Sequence, residues 1–340
     1  MNASLSPRTS IAIVGAGVAG LVCARRLAEA GARVLLLDRG RAVGGRLATR
    51  RVGALQFDHG AQYFTARQAP FAAQAALWAR HGLAAEWRGR LVVLEQGSVA
   101  AAPDGVRRWV GVPGMGAVAQ ALADDARKAG AELHTGIEVA GARHERGRWW
   151  LTSAEGLSLG SYDGLVAALP APEAGMLLAA GAPDLAARCN VRLFPCWAAM
   201  VAFETPLALP FDGAFVRNAP VSWASRDTSK PGRPAREGET WVLHATPEWS
   251  ASHLQAPHDA VAASLLAAFT NAADIDVPPP SYLAAHRWRF ALADEVLDEK
   301  FLWDPGVRAG ACGDWCGGPR VEGAWVSGGA LGGAIVGGWG

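Results

Sequence analysis

Residues 10–38, SIAIVGAGVAGLVCARRLAEAGARVLLLD, constrain this chain more than any other stretch. A short, β-branched apolar run at 11–14 has the character of a buried parallel strand. Gly15, Gly17 and Gly20 follow in GxGxxG spacing. Residues 18–30 carry a helical pattern rich in Ala, Leu and Arg, and Gly31 is a helix stop. Residues 33–37 are a second apolar run, with Asp38 at its end. The spacing predicts a complete βαβ unit with an acid roughly 20 residues past the fingerprint. Gly15 permits the tight turn, Gly17 lets a pyrophosphate approach the backbone, and Gly20 lets the helix pack close to the strand. The helix start offers N–H groups and a positive dipole end to phosphates. Asp38 can accept hydrogen bonds from ribose hydroxyls. The pattern predicts dinucleotide binding in an α/β fold; a glycine-rich turn in some other α/β protein is the alternative.

Composition bounds what such a unit can belong to. At 340 residues, 51% hydrophobic and 19% charged, the chain is globular and long enough for two joined domains. A net charge of +1 gives no electrostatic footprint for nucleic acid or an anionic membrane. The 14 Trp can line a flat-ligand pocket or simply fill the core. The cysteines, at 23, 189, 196, 312 and 316, form neither a zinc pattern nor a disulfide framework. No metal site is expected, and the default setting is reducing and cytoplasmic. Residues 1–9 are short and polar, so no signal peptide is expected. The apolar, glycine-rich C-terminal run GGALGGAIVGG is read as a buried helix rather than a membrane span.

Past the first unit, Gly44, Gly45 and Arg46 follow the second strand closely. A glycine pair followed by Arg suits a loop folding back over a pyrophosphate, with Arg46 countering its charge. A solvated loop is the plainer alternative for Arg46, Arg50 and Arg51. Residues 55–57 look like a strand. Residues 58–64, DHGAQYF, mix polar and small side chains where a strand enters a ligand site.

The blocks GAGVAGLVCARRLAEAG, LLLDRGRAVGGRLATRR and FDHGAQYFTAR together resemble the renalase family of FAD-dependent oxidoreductases, its bacterial branch above all. That family sits within the amine-oxidase and p-hydroxybenzoate-hydroxylase fold group. HRWRFA at 286–291 and GACGDW at 310–315 extend the resemblance over nearly the whole chain. It implies a Rossmann-type FAD-binding domain, with a parallel sheet, helices and a β-meander, plus an interleaved α+β substrate domain. The FAD-binding domain is assigned to 1–69, 111–170 and 286–340, and the substrate domain to 70–110 and 171–285. FAD is expected to be held non-covalently; a link through Cys312 or Cys316 is the less favoured alternative.

The resemblance also assigns residues. Val139 or a neighbour contacts adenine, and Gly313 and Asp314 form a second FAD signature, with Asp314 on a ribityl hydroxyl. Val321 and Glu322 open the last helix, whose N–H groups face the flavin N1–C2=O edge. Arg39, beside Asp38, is counted with Gly45, Arg46 and Gln62 in the cofactor site.

In the intervening chain, residues 70–81 and 117–129 read as helices. Residues 86–87 and 91–94 are strands, 132–139 is one strand returning to the main sheet, and 143–159 is a meander. Gly114, Gly116 and Ala119 match GxGxxA, but no strand is expected before them and Pro113 interrupts, so the match is read as spurious. Residues 171–180 and 259–273 are helices, and 197–203 and 241–246 are strands. The polar segment 226–239 is a lid or a disordered loop. Residues 282–291 alternate as a strand carrying His286, Trp288 and Arg289.

Hydride transfer to a flavin needs a donor carbon held close and no general acid or base. Consistently, the chain shows no Ser-His-Asp order and no obvious carboxylate pair. The family oxidises misreduced nicotinamide dinucleotides, the 1,2- or 1,6-dihydro isomers of NAD(P)H, to NAD(P)+, and O2 is reduced to hydrogen peroxide. The expected partners are therefore a small dinucleotide and O2. The nicotinamide pocket is assigned to Gln62, Tyr63, His244 and Trp288, with Arg289 a weaker candidate. Trp288 is placed to stack on the pyridine ring. A monoamine-type oxidase, a flavin monooxygenase or desaturase, and a non-enzymatic FAD module are the alternatives. An aromatic amine cage is disfavoured because Tyr occurs only at 63, 162 and 282.

Overall fold

A computed structural model describes residues 5–102 and 105–339; the first residues of the polar N-terminal segment, 1–4, lie outside the described residues. The chain divides into two compact units. The first is drawn from Met1–Leu47, Ala119–Leu193 and Ala293–Gly340, the second from Ala48–Val118 and Phe194–Leu292.

In the first unit, β1 (Ser10–Val14), α1 (Val18–Glu29) and β2 (Arg33–Asp38) form the expected βαβ unit. β1 lies between β2 and Gly164–Ala167, parallel to both. Glu132–Thr135 extends the sheet beyond β2, and Ala309–Ala311 then Leu302–Asp304 extend it on the other side. Ile11, Ala12 and Ile13 are fully buried, as are Leu165, Val166 and Ala167. This two-sided burial explains why both runs are apolar without alternation. The glycine-rich C-terminal run is the helix Val321–Gly337, packed on α1. A Cβ at Gly328 would collide with the Ala19 backbone, and one at Gly332 would meet the Arg26 side chain at 2.9 Å. These two glycines thus serve close helix contact. Among the described residues no helix is long and apolar enough to cross a membrane.

The strand expected over 132–139 is broken. It ends at Thr135, and Gly136 turns the chain at φ +75°. The Gly136 and Ile137 N–H groups bond back to the carbonyls of Gly40 and Asp38. Val139 instead opens the three-stranded antiparallel meander Val139–Glu145, Arg148–Ser153 and Ser158–Tyr162.

The second unit is built on a seven-stranded sheet. Its order is Tyr282–Ala293, Leu193–Phe203, Glu239–Ala245, Val221–Arg226, Gly213–Arg217, Leu91–Glu95 and Ser98–Ala101. Alternation decides what each face carries. Ala199, Val201, Phe203, Trp241 and Leu243 meet Val261, Leu265 and Phe269 of the helix His258–Ala273. Met200, Ala202 and Val242 point to the other face, where Phe57 covers them. Phe57 belongs to the hairpin Arg50–Val52/Leu55–Phe57, and burying such a ring contributes about 2–3 kcal/mol. His244 pairs with Ala198 and shares the parity of Val242, so it too lies on the hairpin face.

The unit boundaries differ from the expected domains for packing reasons. Residues 48–69 join the second unit because Phe57 docks on its sheet. Residues 171–193 join the first because Ala171–Leu178 packs on Val139–Glu145, and Pro183–Arg188 on Leu302–Asp304. Residues 286–292 stay with the second because Tyr282–Ala293 is one unbroken strand. The strand Trp109–Gly111 does precede Gly114, but it pairs antiparallel with Ala84–Glu86 and forms no βαβ unit. The segment 226–239 is not an exposed loop throughout. It contains the turn Asp227–Ser229, and the side chains of Lys230 and Arg233 are 0% and 2% exposed.

Candidate functional site

The first unit gathers the glycine-rich turns around the start of α1. Gly15 adopts φ +108°, and a Cβ there would strike the Ala168 carbonyl oxygen. Gly17 is the N-cap of α1 and has no side chain to cap the helix. A Cβ built on it meets nothing within 4 Å. Gly20 is required by packing, since a Cβ would run into the Gly15 carbonyl. The Gly44 N–H bonds to the Ala16 carbonyl at 2.8 Å, which folds the second glycine loop over the first. Gly44 and Gly45 both take positive φ, +114° and +52°. Open space at Gly17, an uncapped helix start and a second glycine turn beside it form a backbone cradle of the kind a pyrophosphate fits.

Asp38 ties this cradle together. One carboxylate oxygen accepts from the Ala16 N–H and the other from the Gly40 N–H, each at 2.6 Å. Each oxygen keeps a further lone pair for a ribose hydroxyl. Arg46 and Asp314 meet as a bidentate ion pair. Arg39 is held by Glu173 at 2.8 Å. Val139 is half-buried at the start of the meander. Gly313 is needed because a Cβ would press on the Trp315 ring; its N–H bonds to Ser327 Oγ at 3.0 Å. Val321 and buried Glu322 lie in the first turn of the last helix, where the dipole favours the Glu322 carboxylate. Burial pushes the Cys312 and Cys316 thiols well above their usual range, which disfavours a reactive thiolate at either.

The second unit assembles a compact group of rings on the hairpin face of its sheet. Trp288 stacks on His59 with centroids 5.1 Å apart, and His286 meets both edge-on, at 4.4 and 4.8 Å. The Trp288 indole N–H donates to the His59 carbonyl at 2.9 Å, and His244 Nε2 lies 3.2 Å from the same oxygen. Gln62 Nε2 sits 3.4 Å from His244 Nε2. Gln62, His244 and Trp288 therefore come together. Tyr63 goes elsewhere: its ring packs on Trp223 and Trp87, with the Arg108 guanidinium over it. Arg289 is exposed and on the opposite parity of its strand from Trp288.

Burial holds all three imidazoles neutral. It brings His59 down to about 3, aided by the charges of His286 and Arg50, and His244 to about 4, aided by Lys230. His286 falls to about 4 for the same first reason, aided by Arg50 and His258.

Beneath Gln62 lies a buried quartet of charges. Lys230 Nζ donates to Asp227 Oδ1 at 2.6 Å and to Gln62 Oε1 at 3.1 Å. Arg233 pairs with Asp58 and lies 3.4 Å from Asp227. Asp58 also accepts from Thr49 Oγ1 and the Met115 N–H, at 2.6 and 2.9 Å. Burial, then the Asp227 charge, pushes the Asp58 carboxyl up, while Arg233, Lys230 and Thr49 oppose this. Sequence reasoning marked 58–64 as entering a ligand site and His286 as part of the 282–291 strand, but gave no role to His59, His286, Asp58, Asp227, Lys230 or Arg233. Only the His-x-Trp alternation at 286–288 and the DHG run at 58–60 hinted at the rings.

A nucleotide cradle in a parallel sheet, interleaved with a second unit carrying an aromatic and imidazole site, defines an FAD-dependent oxidoreductase. Residues 71–329 match the family of flavin containing amine oxidoreductases, and residues 13–98 match the NAD(P)-binding Rossmann-like domain. The chain belongs to the flavin-containing amine oxidoreductase family. Among solved structures it is similar to a putative protoporphyrinogen oxidase from Exiguobacterium sp. 255-15. The TM-score is 0.74 at 12% identity, over 97% of this chain and 99% of that one. It is also similar to cyclohexylamine oxidase from Brevibacterium oxydans IH-35A, with TM-score 0.71 at 14% identity over 96% and 98%. A putrescine oxidase bound to putrescine gives 0.67 at 13% over 97% and 99%. At these identities the neighbours speak to the fold.

Proposed function

We propose that this oxidoreductase takes a hydride from misreduced dihydronicotinamide dinucleotides, the 1,2- or 1,6-dihydro isomers of NAD(P), giving NAD(P)+, with O2 reduced to hydrogen peroxide. We assign the cofactor to the first unit and the substrate to the second. FAD, when bound, supplies the hydride-accepting chemistry, and the protein supplies position and electrostatics.

One observation carries the reading: burial holds the ring cluster neutral, and among the described residues the nearby cation without a carboxylate at ion-pair distance is Arg50, Lys230 being paired with Asp227. Besides the rings themselves and His258, Arg50 bears on His59 and His286, and Lys230 bears on His244. A neutral ring cluster gives an ammonium no counter-charge, and the Arg50 charge suits a phosphate-bearing substrate. The resemblance of the GGR, FDHGAQYF and HRWRFA blocks to renalases supports the same substrate. Trp288 offers its indole face to the pyridine ring, and Gln62 and His244 offer polar contacts to its edge. The raised Cys312 and Cys316 thiols support a non-covalent cofactor. Five free cysteines fit a reducing, cytoplasmic setting.

The test is anaerobic bleaching of the visible flavin band. The 1,2- and 1,6-dihydro isomers, ordinary NADH and a panel of amines are added separately at one equivalent. Rapid bleaching by a dihydro isomer, with NAD+ formed, is expected. Bleaching by an amine with no response to either isomer would replace this reading with an amine oxidase.

A further inference from the structure

Beside the buried quartet the second unit contains a small cavity of about 10 Å³, whose polar wall is Gln56, Thr228, Arg233, Arg236 and Thr240. That is roughly the space one water-sized atom needs. The wall is rich in donors. Arg233 spends both terminal nitrogens elsewhere: Nη1 donates to the Gly111 and Pro113 carbonyls at 2.9 and 2.8 Å, and Nη2 donates to Asp58. Its Nε is buried and makes no hydrogen bond among the described residues, although Asp227 Oδ2 lies 3.4 Å away. Arg236 Nη2 donates to the Phe203 carbonyl at 3.3 Å, while Nη1 is buried and makes no hydrogen bond. Thr228 Oγ1 accepts from the Thr240 N–H at 3.4 Å, and its own hydrogen finds no acceptor among the described residues. Buried donors are costly when left unpaired.

The charges do not balance either. Lys230 pairs with Asp227, and Arg233 pairs with Asp58. Arg236 is a third cation, and among the described residues it has no carboxylate at ion-pair distance. Glu239, three positions on, is held by Arg226 at 3.1 Å and accepts from the Leu207 N–H and the Trp241 indole N–H. No carboxylate lines the cavity. A water there would leave the Arg236 charge in place and would need acceptors for its own two hydrogens. An anion only accepts, and it supplies the missing charge.

We propose that this cavity binds a single-atom monovalent anion, a halide, held by the Arg233 Nε and Arg236 Nη1 donors. A carboxylate or a phosphate has several heavy atoms and is too large for the space. Gln56 brings the hairpin to one wall, and the other polar residues come from 228–240, so the anion fastens that segment to the hairpin. The site is independent of the functional reading, since it holds whichever reductant the flavin oxidises.

Two measurements on the FAD-loaded protein test it. In the first, thermal unfolding is followed as sodium gluconate is exchanged for sodium chloride at constant ionic strength; gluconate is too large for the cavity. The melting temperature is expected to rise saturably by about 2 °C, with bromide acting as chloride does. Arg236→Gln, which keeps a neutral donor and removes the charge, should lose most of that rise. In the second, crystals grown in sodium bromide are expected to show an anomalous peak between Arg233 and Arg236. A water without anomalous signal there, or a chloride response unchanged in folded Arg236→Gln, would overturn the proposal. A bromide peak with no chloride-dependent shift in solution would mark an adventitious ion only, and would overturn it too. If Arg236→Gln does not fold, the wild-type shift and the bromide position decide together.

Discussion

Arg46 and Asp314 stand 268 positions apart and meet through two hydrogen bonds of 2.7 and 2.9 Å. One comes from the loop after β2 and the other from the turn after Ala309–Ala311, so the pair joins two stretches of the cofactor cradle. A bidentate pair of this kind fixes geometry as well as charge. Asp314→Asn should weaken FAD binding to the apoprotein by about tenfold, read by fluorescence titration. Unchanged affinity would remove the pair from the cofactor site.

Gly15 and Gly17 should separate folding from cofactor binding. Gly15→Ala places a Cβ against the Ala168 carbonyl at a positive φ, so it should lower the melting temperature of the apoprotein. Gly17→Ala meets nothing within 4 Å, so the apoprotein should melt as before while FAD content falls sharply. Normal FAD binding by Gly17→Ala would contradict the cradle.

Acid should destabilise the protein through its rings. His59, His244 and His286 protonate at about 3 to 4 in the fold, against 6.5 when free. Between these values the unfolded chain binds more protons, so stability is full above about pH 6.5 and falls as pH drops towards 4. The limit is about 1.4 kcal/mol per pH unit for each ring, less for the half-exposed ones. Thermal unfolding from pH 8 to 4.5 checks this, and His286→Gln should give a shallower slope; an unchanged slope would acquit that ring.

The buried quartet predicts strong asymmetry between single and paired substitutions. Arg233→Met strands Asp58, whose side chain is 0% exposed, and should cost about 3–5 kcal/mol in urea unfolding. Adding Asp58→Asn should recover part of that loss. Simple additivity would show that the two charges act independently.

Arg50 should govern affinity for phosphate-bearing reductants. It is exposed, lies opposite Phe57 in the hairpin, and among the described residues has no carboxylate within ion-pair distance. Arg50→Gln should raise KM for a dihydro-NAD isomer several-fold with little change in kcat. The corresponding dihydronicotinamide riboside, lacking phosphate, should be unaffected. Equal effects on both would assign Arg50 a structural role.

The βαβ unit was legible because its determinants are local. β1 and β2 are apolar runs, α1 has helical periodicity, and the glycines sit where the chain turns. Most other helices and strands were legible for the same reason. Trp288 and His244 could be named as candidates, but nothing local showed that His59 and His286 would join them, since ring stacking depends on docking the hairpin against a strand more than 200 residues away. The segment 226–239 was least legible. Taken singly, Asp227, Lys230 and Arg233 are charges that belong in water. Only folding brings Asp58 to Arg233 and Gln62 to Lys230, 175 and 168 positions apart. Burying charge is costly until its partner arrives, so composition and periodicity report the βαβ cradle, and the tertiary structure alone decides which polar residues build the floor of the site.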